Sequence, residues 1–75
     1  MIVEIQVFYR DLQDELHEIK QAPSDQDSKA IKMDVARIIK PIKESKTADY
    51  YYVVLKVKRT DGTIGYRTVI GKTQL

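Results

Sequence analysis

Residues 50–71 read YYYVVLKVKRTDGTIGYRTVIG, with two apolar-rich runs on either side of an Asp-Gly pair. A two-residue Asp-Gly loop is typical of a type I′ turn, because that turn needs a positive φ at both central residues. The stretch therefore predicts a β-hairpin in which Thr60 pairs with Thr63. This register sends alternate side chains of each strand to two different faces.

The two faces of the predicted hairpin differ in composition. The core face pairs Arg59 with Ile64, Val57 with Tyr66, Leu55 with Thr68 and Val53 with Ile70. The other face carries Tyr50, Tyr52, Val54, Lys56 and Lys58 against Gly65, Arg67, Val69 and Gly71. Aromatic rings can stack on bases and cations can contact phosphates, so this second face is the candidate site.

The predicted nucleic-acid-binding residues are Lys56, Lys58, Arg67, Tyr50 and Tyr52. Lys56 and Arg67 oppose each other directly in this register, and like charges across two strands destabilise the pairing. An anion beside them would relieve the repulsion. It could be a phosphate, an acidic protein partner or Glu4 of the first strand, and Tyr52 could equally serve to cover Gly71.

Composition predicts one small domain, residues 1–75, without disulfides or a cysteine-based metal site, because the chain has no cysteine and one histidine. The N-terminal residues lack the basic region of a signal peptide, and no apolar run could span a membrane, so we expect a cytoplasmic protein. The net charge of +2 is small, but the C-terminal third is locally cationic. After Glu44, six Lys and Arg residues accompany only two acids.

The N-terminal third predicts a strand followed by a helix. Residues 2–9 alternate β-branched with other side chains, as a strand with one buried face does. Asp11 then stands where a helix N-cap is expected, and Leu12, Leu16 and Ile19 recur at i, i+4 and i+7. This spacing predicts a short helix that ends near Gln21.

The middle third is compatible with a helix or a strand. Apolar residues recur at helical spacing, which favours a second amphipathic helix ending near residues 40–41; they are Ile31, Val35, Ile38, Ile39 and Ile42. A basic ridge would follow the opposite side of this helix and comprise Lys29, Lys32, Arg37, Lys40 and Lys43. Ile31, Met33 and Val35 also alternate, however, so residues 30–42 could instead form a fourth strand.

The predicted fold class is α+β, with a small antiparallel or mixed three-stranded sheet in the order β-α-α-β-β and both helices on one face. The predicted core comprises Val3, Ile5, Val7, Leu12, Leu16, Ile19, Ile31, Val35, Ile38, Ile39, Val53, Leu55, Val57, Tyr66 and Ile70. A three-stranded sheet has two free edges, and one of them could pair with a second copy to form a homodimer.

No motif predicts catalysis, a cofactor or a metal site. His17 has Asp14, Glu15 and Glu18 nearby in the sequence, but no second cluster of ligands exists to complete a coordination sphere. We therefore predict a small non-catalytic binding protein that binds nucleic acid through the cationic-aromatic hairpin face. The alternatives are a protein-interaction module or inhibitor that docks an acidic partner, and a homodimeric structural protein.

Overall fold

The computed structural model describes residues 1–75 and contains four strands and one helix. In chain order these are β1 (Ile2–Asp11), β2 (Leu16–Gln21), α1 (Ser28–Ser45), β3 (Ala48–Lys58) and β4 (Ile64–Gln74). All neighbouring strands are antiparallel, in the order β2-β1-β3-β4, and α1 packs on one face against β1 and β3. The α+β class with a one-sided helical cover is confirmed, whereas the three-strand, two-helix order is wrong.

A second hairpin stands where the first helix was predicted. The Asp11 carboxylate accepts the backbone N–H groups of Gln13 and Glu15, each at 2.9 Å, and so closes a tight turn. Asp14 has a φ of 66° inside this turn, a conformation that Asp tolerates better than most residues. The turn sends β2 back along β1, and Ile19 lies opposite Val7.

The spacing of Leu12, Leu16 and Ile19 was misleading because those three residues lie on no common face. Leu12 belongs to the turn and is 69% exposed, and Leu16 is 47% exposed on the side of the sheet away from α1. Only Ile19 packs against the core. The i, i+4, i+7 spacing therefore matched a helical stripe by coincidence.

The second predicted helix is confirmed as α1. Its five apolar positions are all buried, namely Ile31, Val35, Ile38, Ile39 and Ile42. The helix continues beyond the predicted end, because Pro41 lies on its exposed side, and it stops at Lys46 with a φ of 56°. The sheet does have a fourth strand, as the alternative allowed, but that strand is β2 and residues 30–42 are helical. α1 lacks the length of apolar sequence that a bilayer crossing requires.

A buried carboxylate anchors the loop before α1. Asp34 is fully buried and accepts the Ser24 backbone N–H at 2.9 Å and the Ser24 hydroxyl at 2.9 and 3.0 Å. Arg37 reaches the same carboxylate at 3.4 Å. The Ser24 hydrogen bonds and the Arg37 charge lower the pKa of Asp34 despite its burial. The carboxylate that anchors the loop is therefore ionised.

The Asp-Gly hairpin is confirmed, but its loop has three residues rather than two. Arg59 N–H donates to the Thr63 carbonyl at 2.8 Å, and Gly62 N–H donates to the Arg59 carbonyl at 3.0 Å. Only Gly62 has a positive φ, 89°, while the Asp61 carboxylate accepts the Thr63 N–H and hydroxyl. This is the type I turn with a bulge at glycine that three-residue hairpin loops adopt.

The longer loop shifts the predicted pairing by one residue near the turn. Leu55 now faces Arg67, and Lys56 faces Tyr66. An extra residue in β4, Val69, then restores the predicted pairing of Val53 with Ile70. Between the turn and this bulge every β4 side chain therefore lies on the face opposite to the predicted one.

The core lies between α1 and the facing side of the sheet. It comprises Ile5, Val7, Ile31, Val35, Ile38, Ile39, Ile42, Ala48, Tyr51, Val53 and Leu55, with Ile2, Tyr9, Ile19, Val57 and Ile70 packed against it. Tyr66, predicted to be buried, is 65% exposed because of the register shift. Val3, also predicted to be buried, is exposed beside a register shift between Ile2 and Glu4.

Candidate nucleic-acid interface

The face of the sheet opposite α1, called the open face below, is covered by no other element. Its side chains are Leu16, Glu18 and Lys20 from β2, Glu4, Gln6, Phe8 and Arg10 from β1, Tyr50, Tyr52, Val54, Lys56 and Lys58 from β3, and Ile64, Tyr66 and Thr68 from β4. The Lys72 ammonium of β4 also lies on this face, where it contacts the Tyr50 ring. The open face is therefore a surface of aromatic and charged groups spread over all four strands.

A stacked aromatic pair lies at the centre of the open face. Phe8 of β1 and Tyr52 of β3 are opposite each other, with ring centroids 4.9 Å apart and planes inclined by 14°. Both rings are only partly buried. Offset-stacked rings at this separation stabilise each other, so the pair forms a rigid apolar platform.

Tyr50 holds two cations beside this platform. Its hydroxyl accepts a hydrogen bond from Arg10 Nε at 3.0 Å, and the Lys72 ammonium lies 4.3 Å from its ring centroid. The hydrogen bonds of Arg10 to Tyr50 and then to Asp14 raise the pKa of the guanidinium above its already high value. Arg10 and Lys72 are therefore positioned cations rather than freely moving ones.

Tyr66 is the most exposed large hydrophobic side chain of the open face, and its neighbour Lys56 is half-buried. They are opposite each other on β4 and β3, and the Tyr66 side chain projects into solvent. Glu4 of β1 lies opposite Lys56, as expected if Glu4 were the anion that neutralises this lysine. Its carboxylate accepts a hydrogen bond from Gln6 at 2.8 Å, however, and forms no ion pair with Lys56.

Four of the five predicted site residues lie on the open face, namely Tyr50, Tyr52, Lys56 and Lys58. Arg67 does not, because the one-residue shift turns it to the helix side opposite Leu55, and the predicted repulsion between Lys56 and Arg67 is absent. Sequence reasoning missed Phe8, Arg10, Tyr66 and Lys72. The alternation of β1 places Phe8 and Arg10 on one face. Their place in the site depends on the pairing of β1 with β3, which could not be derived from the sequence.

A cluster of Asp11, Glu15 and His17 brings three ligand-type atoms within 4.8 Å of one another. Each Asp11 oxygen already accepts a hydrogen bond, since Oδ1 accepts two backbone N–H groups and Oδ2 lies 2.7 Å from His17 Nε2. The His17 contact and the backbone donors lower the pKa of Asp11. The Asp11 carboxylate thus closes the β1–β2 turn, and the His17 ring stacks on Tyr9.

Comparison of the chain with protein-family models, curated proteins and solved structures gave no match in any of the three.

Proposed function

We propose that the chain is a non-catalytic, single-stranded nucleic-acid-binding protein whose binding surface is the open face. The observation that carries the proposal is the Phe8–Tyr52 stack, on a sheet surface that no helix covers, with Arg10 and Lys72 held nearby by Tyr50. Exposed aromatic rings on a four-stranded sheet can stack with unpaired bases, and nearby cations can contact the phosphates.

The charges on the open face agree with this ligand. Five cations, Arg10, Lys20, Lys56, Lys58 and Lys72, accompany two acids, Glu4 and Glu18, so the face carries a formal charge of +3. Lys20 is paired with Glu18 at 3.4 Å and Arg10 with Asp14 at 3.0 Å, which leaves Lys56, Lys58 and Lys72 unpaired and available for phosphates. The open face is therefore more positive than the chain as a whole, which carries +2.

A single strand is favoured over a duplex by the shape of the surface. Stacking needs unpaired bases, and duplex readout needs an element that enters a groove. The only helix of the chain has its apolar side buried against the sheet, and the open face is broad rather than projecting.

The test is fluorescence anisotropy with a labelled oligo(U) of 12 residues, its DNA counterpart and a duplex of the same length, at 50 and 200 mM salt. Tyr52→Ala and Tyr66→Ala should each weaken single-strand binding about 5–150-fold, the range that stacking of one base contributes. Lys56→Gln with Lys72→Gln should make the slope of log K against log salt shallower by about 1.4, which corresponds to two phosphate contacts.

The matched control is Lys40→Gln with Lys43→Gln, which removes two charges from α1 on the other side of the sheet. Its affinity for the single strand and its salt slope should stay closer to those of the parent chain than the values for the open-face pair do. Absence of single-strand binding at 50 mM salt would overturn the proposal, as would equal effects of the open-face pair and the control pair.

A further inference from the structure

We propose that the groove between α1 and β4 binds an acidic amphipathic helix of a partner protein. The groove exists because α1 covers β1 and β3 but makes no close approach to β4. It encloses about 1000 Å³ and runs along α1 on the face of the sheet opposite the open face. This inference is independent of the proposed nucleic-acid function, since the two surfaces share no side chain.

The floor of the groove is apolar. Val35 and Ile39 of α1, Leu55 of β3, and Val69 and Ile70 of β4 line it. Val69 is 43% exposed, because the bulge that contains it lies beyond the reach of α1. Val35, Ile39 and Leu55 are themselves buried, so the accessible part of the floor is mainly Val69 and Ile70, whose apolar area is stabilised when another apolar surface covers it.

The dimensions suit a second helix. A helix is about 10 Å across and strands are about 4.8 Å apart, so one helix covers about two strands. α1 lies over the two central strands, and the helix side of β4 is left for another element. Ala36 lines the groove from α1 and is small, which permits a neighbouring helix to approach closely.

The rim of the groove determines the charge of the occupant. Lys32, Lys40 and Lys43 from α1 and Arg67 from β4 line it, with Glu44 as the one acid. None of these four cations forms an ion pair within the chain. An apolar floor with a cationic rim complements a helix that has a leucine-rich stripe flanked by carboxylates.

Two other occupants fit less well. A second copy of this chain would bring the lysines of its own α1 against the same cationic rim, and like charges across an interface oppose association. Nucleic acid would satisfy the cations but would leave Val69 and Ile70 facing polar phosphates and sugars. An acidic amphipathic helix matches both the floor and the rim.

The experiment uses a labelled 18-residue peptide with leucines at i, i+3, i+4 and i+7 spacing and glutamates elsewhere. Two control peptides carry lysines in place of the glutamates or the same residues in scrambled order. The full chain should bind the acidic peptide at least tenfold more tightly than either control. In the protein, Arg67→Glu with Lys43→Glu and, separately, Ala36→Trp should each weaken binding at least tenfold.

The matched control variant is Lys56→Glu with Lys58→Glu, which reverses the same number of charges on the open face. It should keep peptide binding and lose oligonucleotide binding. The groove variants should lose peptide binding and keep oligonucleotide binding. Circular dichroism and urea midpoints establish that each variant is folded. Absence of peptide binding at 100 μM, equal binding of the lysine peptide, or equal loss in the open-face variant would overturn the proposal, even if oligonucleotide binding is found.

Discussion

Val53 and Val54 are neighbours in β3, yet they belong to two different surfaces. Val53 is fully buried beneath α1, whereas Val54 lies partly exposed on the open face beside Gln6 and Thr68. The helix side of the sheet is mainly aliphatic and holds the fold together. The open face has aromatic and charged groups that are more accessible, so substitutions there can change binding while the core keeps its packing.

The largest expected effect is the loss of stability when Val53, and not Val54, is shortened to alanine. Val53→Ala removes two methyl groups from a fully packed site and should lower the free energy of unfolding by about 2–3 kcal/mol, from lost transfer energy and the cavity left behind. Val54→Ala, the same change on the open face, should cost less than about 1 kcal/mol. Urea denaturation of both variants measures the difference. Equal losses would mean that the open face is packed as tightly as the core.

A second prediction concerns the loss of folding stability at low pH. Folding lowers the pKa of Asp34, so the folded chain binds this proton less tightly than the unfolded chain. Its contribution to stability is complete above the usual value of 3.8 and is lost as the pH falls below it towards the folded value. Asp34→Asn should lower the urea midpoint at pH 7 and flatten its decline between pH 5 and pH 2.

The control for the acid prediction is Asp27→Asn, because the Asp27 side chain makes no capping hydrogen bond to α1. That variant should have a pH dependence parallel to the parent chain. The Asp11 and Asp61 carboxylates, whose pKa values are also lowered by hydrogen bonds at the two hairpin turns, should account for part of the slope that remains in Asp34→Asn. A parent chain whose urea midpoint is unchanged down to pH 2 would contradict the prediction.

A smaller effect than that of Val53→Ala is expected at two glycines of the β3–β4 hairpin. Gly62→Ala places a side chain at a φ of 89° and should cost about 1–2 kcal/mol. A β-carbon at Gly65 on the helix side would meet only the guanidinium of Arg59, which can move, so Gly65→Ala should change stability by less than about 0.5 kcal/mol. Thermal denaturation compares the two; a larger loss at Gly65 would show that Arg59 is fixed in place.

Three parts of the fold could be predicted from sequence because many residues agreed on each. The isoleucine stripe of α1, the alternation of β1 and the Asp-Gly hairpin each depend on repeated or strongly biased positions. Pro41 suggested an early helix end, but an exposed proline near the C-terminus of α1 is tolerated by the packing of Ile38, Ile39 and Ile42.

The parts that could not be predicted depended on the hydrogen bonds of two carboxylates, Asp11 and Asp61. The Asp11 carboxylate closes a turn instead of capping a helix, and only the pairing of β2 with β1 distinguishes these two roles. The Asp61 carboxylate stabilises a three-residue loop, and one added loop residue was enough to exchange Arg67 for Tyr66 on the open face. The face on which each side chain lies was therefore predicted correctly for β3 and incorrectly for β4 between the turn and the bulge, where the register decides it.

The bulges of β4 also bear on aggregation. β4 is an outer strand of eleven residues, long enough to recruit further strands from other molecules. Its pairing with β3 is irregular at Val69 and again between Ile70 and Thr73, so the longest regularly paired stretch is residues 64–68. A fibril-like stack needs a long uninterrupted strand, so we expect these irregularities to limit uncontrolled growth of the sheet.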